Sequence, residues 1–125
     1  VPPDTALAAV VEAFQTRSIG SVLITHANGT LAGIFTERDC VRRALPDFTT
    51  NQARPVSEFM TKDPVAQPPD ITIAFALNLM SEGGFRHLPL VDSDNHPVGI
   101  ISVRDMMDFI VGTFIDELLK FELPS

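Results

Sequence analysis

Two stretches, Gly33-Ile34-Phe35-Thr36-Glu37-Arg38-Asp39 and Gly99-Ile100-Ile101-Ser102-Val103-Arg104-Asp105, place a hydroxyl three residues ahead of an aspartate in the same context, sixty-six positions apart. In each, apolar residues follow a glycine and lead to the hydroxyl, the pattern of a buried strand running straight into the first turn of a helix. Such a corner gathers free helix N–H groups, an alcohol and a carboxylate at one point, which suits a sugar phosphate. Asp39 and Asp105 can accept from a pair of vicinal ribose hydroxyls, while Thr36, Ser102 and the helix amides would face phosphate. The same residues also fit a capping box, in which hydroxyl and acid serve only their own helix. That box usually carries Glu or Gln, whereas both copies here hold Asp behind a glycine-led strand, which favours the ligand reading.

A second group is Arg86-His87-Leu88-Pro89. Arg86 brings a guanidinium fork for phosphate and His87 a ring that can donate from either nitrogen. Their counterparts in the first copy are Gly20 and Ser21, which bring neither. The plain alternatives are a solvated cation for Arg86, and for Arg54 between the copies, and an ordinary strand histidine for His87. Other chemistries find no support. His26, His87 and His96 lack metal-ligand spacing with one another and with Cys40. No nucleophile elbow and no glycine-rich phosphate loop occurs, so no enzyme activity is expected. Cys40 follows Asp39 within a helical pattern and reads as a small core residue.

The elements that must position these groups follow from periodicity. Leu7, Val10, Val11 and Phe14 mark a one-sided helix over residues 5–17, with Asp4 or Thr5 as its cap. Residues 21–25 and 31–35 read as a hairpin turning at Asn28-Gly29, and a second helix runs from Thr36 until Pro46 stops it. Residues 46–56 have no period and read as a linker. The plan then repeats at the constant offset: a helix bearing Ile73, Leu77 and Met80, strands 87–91 and 97–101, and a helix from Ser102. An entering strand at 63–67 has no counterpart in the first copy. The division expected is therefore a first repeat over 1–46, a linker over 47–57 and a second repeat over 58–125. The final helix carries apolar residues from Met106 to Phe121 around its whole circumference, so its outer side is expected to pack on another subunit or domain.

Each half of about sixty residues would be a marginal fold alone, burying only ~60% of its unfolded surface, so the halves should fold together. The formal charge of −7 lies in the second half: residues 1–62 hold six basic and six acidic groups, residues 63–125 three and ten. No basic face is visible to neutralise several phosphates, which disfavours nucleic acid as a partner. No apolar run approaches the ~18 residues of a membrane span, and no signal peptide opens the chain. A single cysteine excludes an internal disulfide and favours a reducing, cytoplasmic setting. The opening at Val1, without methionine, reads as a piece of a longer polypeptide.

In these marks the chain resembles a tandem pair of CBS domains, the modules named after cystathionine beta-synthase. The likeness rests on Pro3-Asp4-Thr5, Ile19-Gly20-Ser21 and Gly33 to Asp39 in the first copy, and on Met60-Thr61, Pro69-Asp70, Arg86 to Pro89 and Gly99 to Asp105 in the second. The resemblance implies an α+β fold of two β-α-β-β-α repeats packed with pseudo-two-fold symmetry, two clefts between them, and often a homodimer. It implies a regulatory, nucleotide-binding module for AMP, ADP, ATP or S-adenosylmethionine, with no required cofactor; the alternative is a dimerisation module whose clefts stay empty. By the same resemblance Thr36 and Ser102 would meet phosphate or ribose, and Asp39 and Asp105 would hold ribose. Adenine would lie near Ile34 or Ile100, against the Val65-Ala66 backbone and the Leu88-Pro89 strand. Arg86 and His87 would serve a nucleotide anchored on Asp39, making that cleft the tighter for phosphorylated ligands.

Overall fold

A computed structural model describes residues 1–120, with side chains as far as Glu117. The elements are α1 (Leu7–Arg17), β1 (Ser21–Thr25), β2 (Leu31–Thr36), α2 (Glu37–Asp39), α3 (Phe48–Asn51), β3 (Thr61–Lys62), α4 (Ile73–Gly83), β4 (His87–Val91), β5 (Pro97–Ser102) and α5 (Val103–Lys120). Strands β1, β2 and β3 form one antiparallel sheet, and β4 and β5 pair as a second. The mixed α and β architecture is the expected one, two small sheets each backed by helices.

The hairpins repeat in register. Ser21 faces Thr36 as His87 faces Ser102, and both ladders slip by one residue near the turn. Around each hairpin a separate core forms. Leu7, Val10, Ile24, Phe35 and Val56 anchor the first, with Phe14 stacked on Phe35 at 5.8 Å between centroids. Ala76, Met80, Leu88 and Met106 anchor the smaller second. The two hairpin tips touch: Leu31 N–H donates to Asn95 C=O at 2.9 Å, and His96 Nε2 lies 3.0 Å from Asn28 C=O. On the far side, Arg38 Nη1 donates to Gly84 C=O at 3.0 Å, a further tie between the repeats.

Several boundaries differ from the sequence expectation. The second helix does not stop at Pro46: its first turn widens into a π-helical turn, Cys40–Ala44, and continues as a 3-10 turn, Leu45–Asp47, then α3. In the π turn Leu45 N–H reaches Cys40 C=O, so the backbone is opened just where the Pro46 ring would strike the carbonyl four residues back. The presumed linker is thus partly helical, held by Phe48 against the first core and by buried Asn51. Neither Asp4 nor Thr5 caps α1; Thr5 bonds Pro2 C=O instead, and Ala6 holds the cap position without a side-chain bond. The orphan amides of Leu7 and Ala8 donate to Arg54 and Gln52 carbonyls, so residues 52–54 do the capping that Thr72 performs for α4.

The entering strand also lies elsewhere. The regular pairing is at Thr61–Lys62, and it joins the first repeat's sheet, with Gly33 opposite Lys62 and Ile34 opposite Thr61. Asp63, at φ 45°, then turns the chain away, and only Gln67 bridges the second sheet, through Pro89 C=O and Val91 N–H. The first repeat does have the matching residue: Val1 bonds Leu23 C=O and Thr25 N–H in the same way.

Gly33 allows the crossing, because a Cβ there would stand 2.8 Å from Thr61 O and 2.5 Å from Met60 Sδ. At Gly99 the nearest atom would be Leu90 Cδ1 at 3.9 Å. Gly33→Ala is therefore expected to lower stability in urea unfolding by about 1–3 kcal/mol through overpacking, and Gly99→Ala by less than about 0.5 kcal/mol. Equal costs would mean that the β3 crossing contributes nothing to the fold.

Candidate functional site

Both hydroxyl–aspartate corners close as capping boxes. Thr36 Oγ1 accepts from Asp39 N–H at 3.2 Å, and Asp39 Oδ2 accepts from Thr36 N–H at 3.0 Å and from its hydroxyl at 3.1 Å. Ser102 and Asp105 repeat the exchange at 3.0 and 3.2 Å. The first-turn amides are less free than the sequence suggests. Glu37 N–H goes to Gly20 C=O and Val103 N–H to Arg86 C=O, so of the three only the amides of Arg38 and Arg104 lack a partner among the described residues. In both corners the recorded bonds use Oδ2 alone. Each carboxylate thus keeps one oxygen able to accept from a ligand hydroxyl while the other ties off its helix.

Between the corners stand the starts of β1 and β4. His87 packs against Gly20, where an added Cβ would lie 3.4 Å from its Nε2, and Glu37 Oε1 approaches the same point at 3.8 Å. Gly20 is therefore the space-maker that admits a histidine from the other repeat, and Glu37 the acid beside it. The contrasts Gly20 against Arg86 and Glu37 against Val103 were the signals available for both roles. Burial pushes the His87 imidazole below its ordinary range; Glu37 and Asp105 pull it upward, and Arg86 adds to the depression. Arg86 is exposed and makes no ion pair among the described residues.

The remaining sequence candidates divide by exposure. Ile34 is 6% exposed and Pro89 is fully buried, whereas Ile100 is 36% and Val65 47% exposed. Ala66 is half-buried. Apolar side-chain surface for a flat ring is thus present near Ile100 and nearly absent near Ile34. Arg54 is committed locally: its Nε meets Glu58 at 2.7 Å and its guanidinium lies 5.5 Å from the Phe59 ring centre. Of two shallow grooves, of about 240 and 380 Å³, the first lies on the second repeat and includes Asp105, while the second is lined by Arg38 of the first repeat as well as Arg86 and Val103 of the second; neither gathers a full candidate set. Asp92, Asp94 and His96 bring donor atoms within 4.8 Å of one another. There Asp92 Oδ1 already accepts from the Asp94 and His96 N–H groups at 2.9 Å, closing the hairpin turn, and these bonds hold its carboxyl below the usual range.

Fold and corners together define a paired-repeat module, and comparison with known proteins agrees. The CBS-domain family model matches residues 1–45 and 56–112, and the chain belongs to that family, as a CBS-domain pair, a regulatory module. A 17.7 kDa protein of Acidianus ambivalens is 33% identical over 106 residues, covering 85% of this chain and 63% of its own length. The chain thus spans less than two thirds of that relative. A CBS-domain containing protein from Agrobacterium tumefaciens superimposes with a TM-score of 0.79 at 32% identity, over 86% of this chain and 85% of that one. CBSX2, solved in complex with AMP, shares the fold with a TM-score of 0.77 at 22% identity, over 90% and 87% of the two chains.

Because the folded pKa of His87 lies below its unfolded value of 6.5, the unfolded chain binds more protons as pH falls through that value. The favourable neutral state is complete above the unfolded pKa and is lost toward the lower folded one. Thermal midpoints measured between about pH 7.5 and 5.5 should therefore fall on acidification, and fall less in His87→Asn. An identical pH profile for the two proteins would remove His87 from the buried inter-repeat position.

Proposed function

We propose that this CBS pair senses an adenosine-containing ligand in the crevice between its repeats, the candidates being AMP, ADP, ATP and S-adenosylmethionine. The observation that carries the reading is the half-used carboxylate: each aspartate caps its helix through one oxygen and keeps the other for a ribose hydroxyl. AMP in a protein of the same fold supports the ligand class. In this reading Asp39 and Asp105 hold ribose, Thr36, Ser102 and the Arg38 and Arg104 amides meet phosphate or ribose, and Ile100 and Val65 supply apolar surface. Val65 and Ala66 present backbone, and Ile34 and Pro89, having little free side-chain surface, shape the floor. His87 and Arg86 reach toward the Asp39 corner, where the opposite cleft has only Gly20 and Ser21, so the two sites differ in affinity for phosphorylated ligands. Ligand binding shifts the angle between repeats, or the contact between copies, by preferring one arrangement. The module performs no catalysis.

Calorimetric titration with the four ligands is expected to give heat with at least one. Asp39→Asn keeps an oxygen for the cap but loses the charge, and should weaken ribosyl ligands by about 1–3 kcal/mol with little change in Tm. Unchanged affinity would reassign Asp39 to capping alone.

A reading as a dimerisation module has its own observation. On α5, Phe109 is 60% and Phe114 62% exposed, alongside Met107, Val111 and Ile115, an apolar face larger than monomers usually show. Phe121 lies outside the described residues, as do the side chains of Leu118 and Leu119. We take this face as the homodimer contact through which ligand binding is read out. Sedimentation should show a dimer that Phe109→Asp combined with Phe114→Asp converts to monomer; a monomer at all concentrations before mutation would exclude it.

A further inference from the structure

The two hairpin turns close differently although they occupy matching positions. Asp92, Asp94 and His96 stand where the first repeat has His26, Asn28 and Thr30, at the same offset of sixty-six. In the first turn Asn28 Oδ1 accepts from the Thr30 N–H at 3.1 Å and from its hydroxyl at 2.7 Å, a neutral closure. In the second, Asp92 Oδ1 accepts from the Asp94 and His96 N–H groups, and the His96 ring reaches onto the other repeat. Gly29, at φ 87°, makes room for it: a Cβ there would stand 3.0 Å from His96 Cδ2. Beside this contact Leu31 and Asn95 exchange two bonds across the repeats, Leu31 N–H to Asn95 C=O at 2.9 Å and Asn95 Nδ2 to Leu31 C=O at 3.4 Å.

Both ring nitrogens of His96 face acceptors. Nε2 lies 3.0 Å from the Asn28 C=O, which has no proton to give, so Nε2 carries the hydrogen. In the neutral ring Nδ1 then holds a lone pair, and it stands 3.6 Å from Asp92 Oδ1. Asp94 is the second charge beside it, the donor atoms of all three residues lying within 4.8 Å of one another. The first repeat's turn meets the ring with uncharged groups, the Asn28 carbonyl and Gly29; its ionisable side chain, His26, makes no bond to His96 among the described residues. A proton on Nδ1 turns an acceptor facing an anion into an ion pair and puts a positive charge behind the Nε2–H bond to Asn28, with no movement of the ring. We propose that His96 is a proton-operated clasp between the repeats, which tightens the contact of the two hairpin tips on acidification. Asp92 remains the anion it needs, because the backbone bonds from His96 and Asp94 hold its carboxyl below the usual range. The sense is opposite to that of His87, where burial penalises the charged ring.

The Leu31 N–H, which crosses to Asn95, reports the clasp locally. Its hydrogen exchange, followed by NMR at about pH 7.5 and 5.5 and expressed as a protection factor so that the intrinsic pH dependence cancels, should gain about threefold in protection at the lower pH. His96→Gln keeps a donor for Asn28 but cannot take the proton, and should flatten the profile. Asp92→Asn keeps an oxygen for the turn amides without the charge and should cut the gain to about half or less. His26→Gln should leave it intact. Four results would overturn the proposal: no gain in the unsubstituted chain, a gain that survives His96→Gln, a gain untouched by Asp92→Asn, or a gain abolished by His26→Gln, which would assign the proton to the other turn.

Discussion

The contact on which this molecule depends is the close passage of Met60 and Thr61 over Gly33. It occupies the space of one absent methyl group, and through it the backbone of the second repeat becomes the third strand of the first repeat's sheet. Each half alone has too little interior to be comfortably stable. Crossing over buries β2 on its open side, brings Val56 and Phe59 into the first core, and leaves residues 52–54 positioned to take the orphan amides of α1. A linker that would otherwise be loose connection thus becomes part of the packing, and the two repeats cease to be separable units.

With the repeats held this way, the start of β4 meets the start of β1, His87 lying against Gly20 beside Glu37. The capping boxes give the corners their rigidity: hydroxyl and carboxylate are locked by reciprocal bonds, so each acid is held in position before any ligand arrives. Capping leaves the proposed recognition role open, because a carboxylate has two oxygens and the cap takes one. Sequence symmetry is broken at the level of single side chains. Gly20 makes room for His87, and Glu37 stands where the other corner has Val103, so a two-fold backbone carries two chemically different clefts. In the sensing role proposed above, a ligand preferring one cleft would act on an asymmetric pair, the condition under which binding biases one arrangement of the repeats over another.

The repeat, its offset, both hairpins and the strand-to-helix corners were legible in the chain, because each depends on local periodicity, on Asn28-Gly29 and its counterpart turn, and on hydroxyl–aspartate spacing. The family resemblance was legible for the same reason. Less accessible were places where a distant part of the chain supplies the partner. Pro46 signals a stop, yet a π turn widens the helix ahead of it and lets Phe48 reach the core. Asp4 and Thr5 look like caps, but carbonyls from residues 52–54 arrive instead.

What the sequence by itself determined is the set of local conformations and the identity of the groups at each corner, since hydrogen bonds over three or four residues and apolar spacing are written in consecutive letters. What only the tertiary structure decided is the pairing across repeats: that Thr61–Lys62 joins β2 and not its own sheet, that His87 settles on Gly20, and that among the described residues β5 pairs on one side only. The physical reason is that these depend on where a strand edge and a missing side chain happen to face each other in space, and a glycine reads the same in sequence whether its side-chain space is taken by another strand, as at Gly33, or bordered loosely by Leu90 Cδ1 at 3.9 Å, as at Gly99.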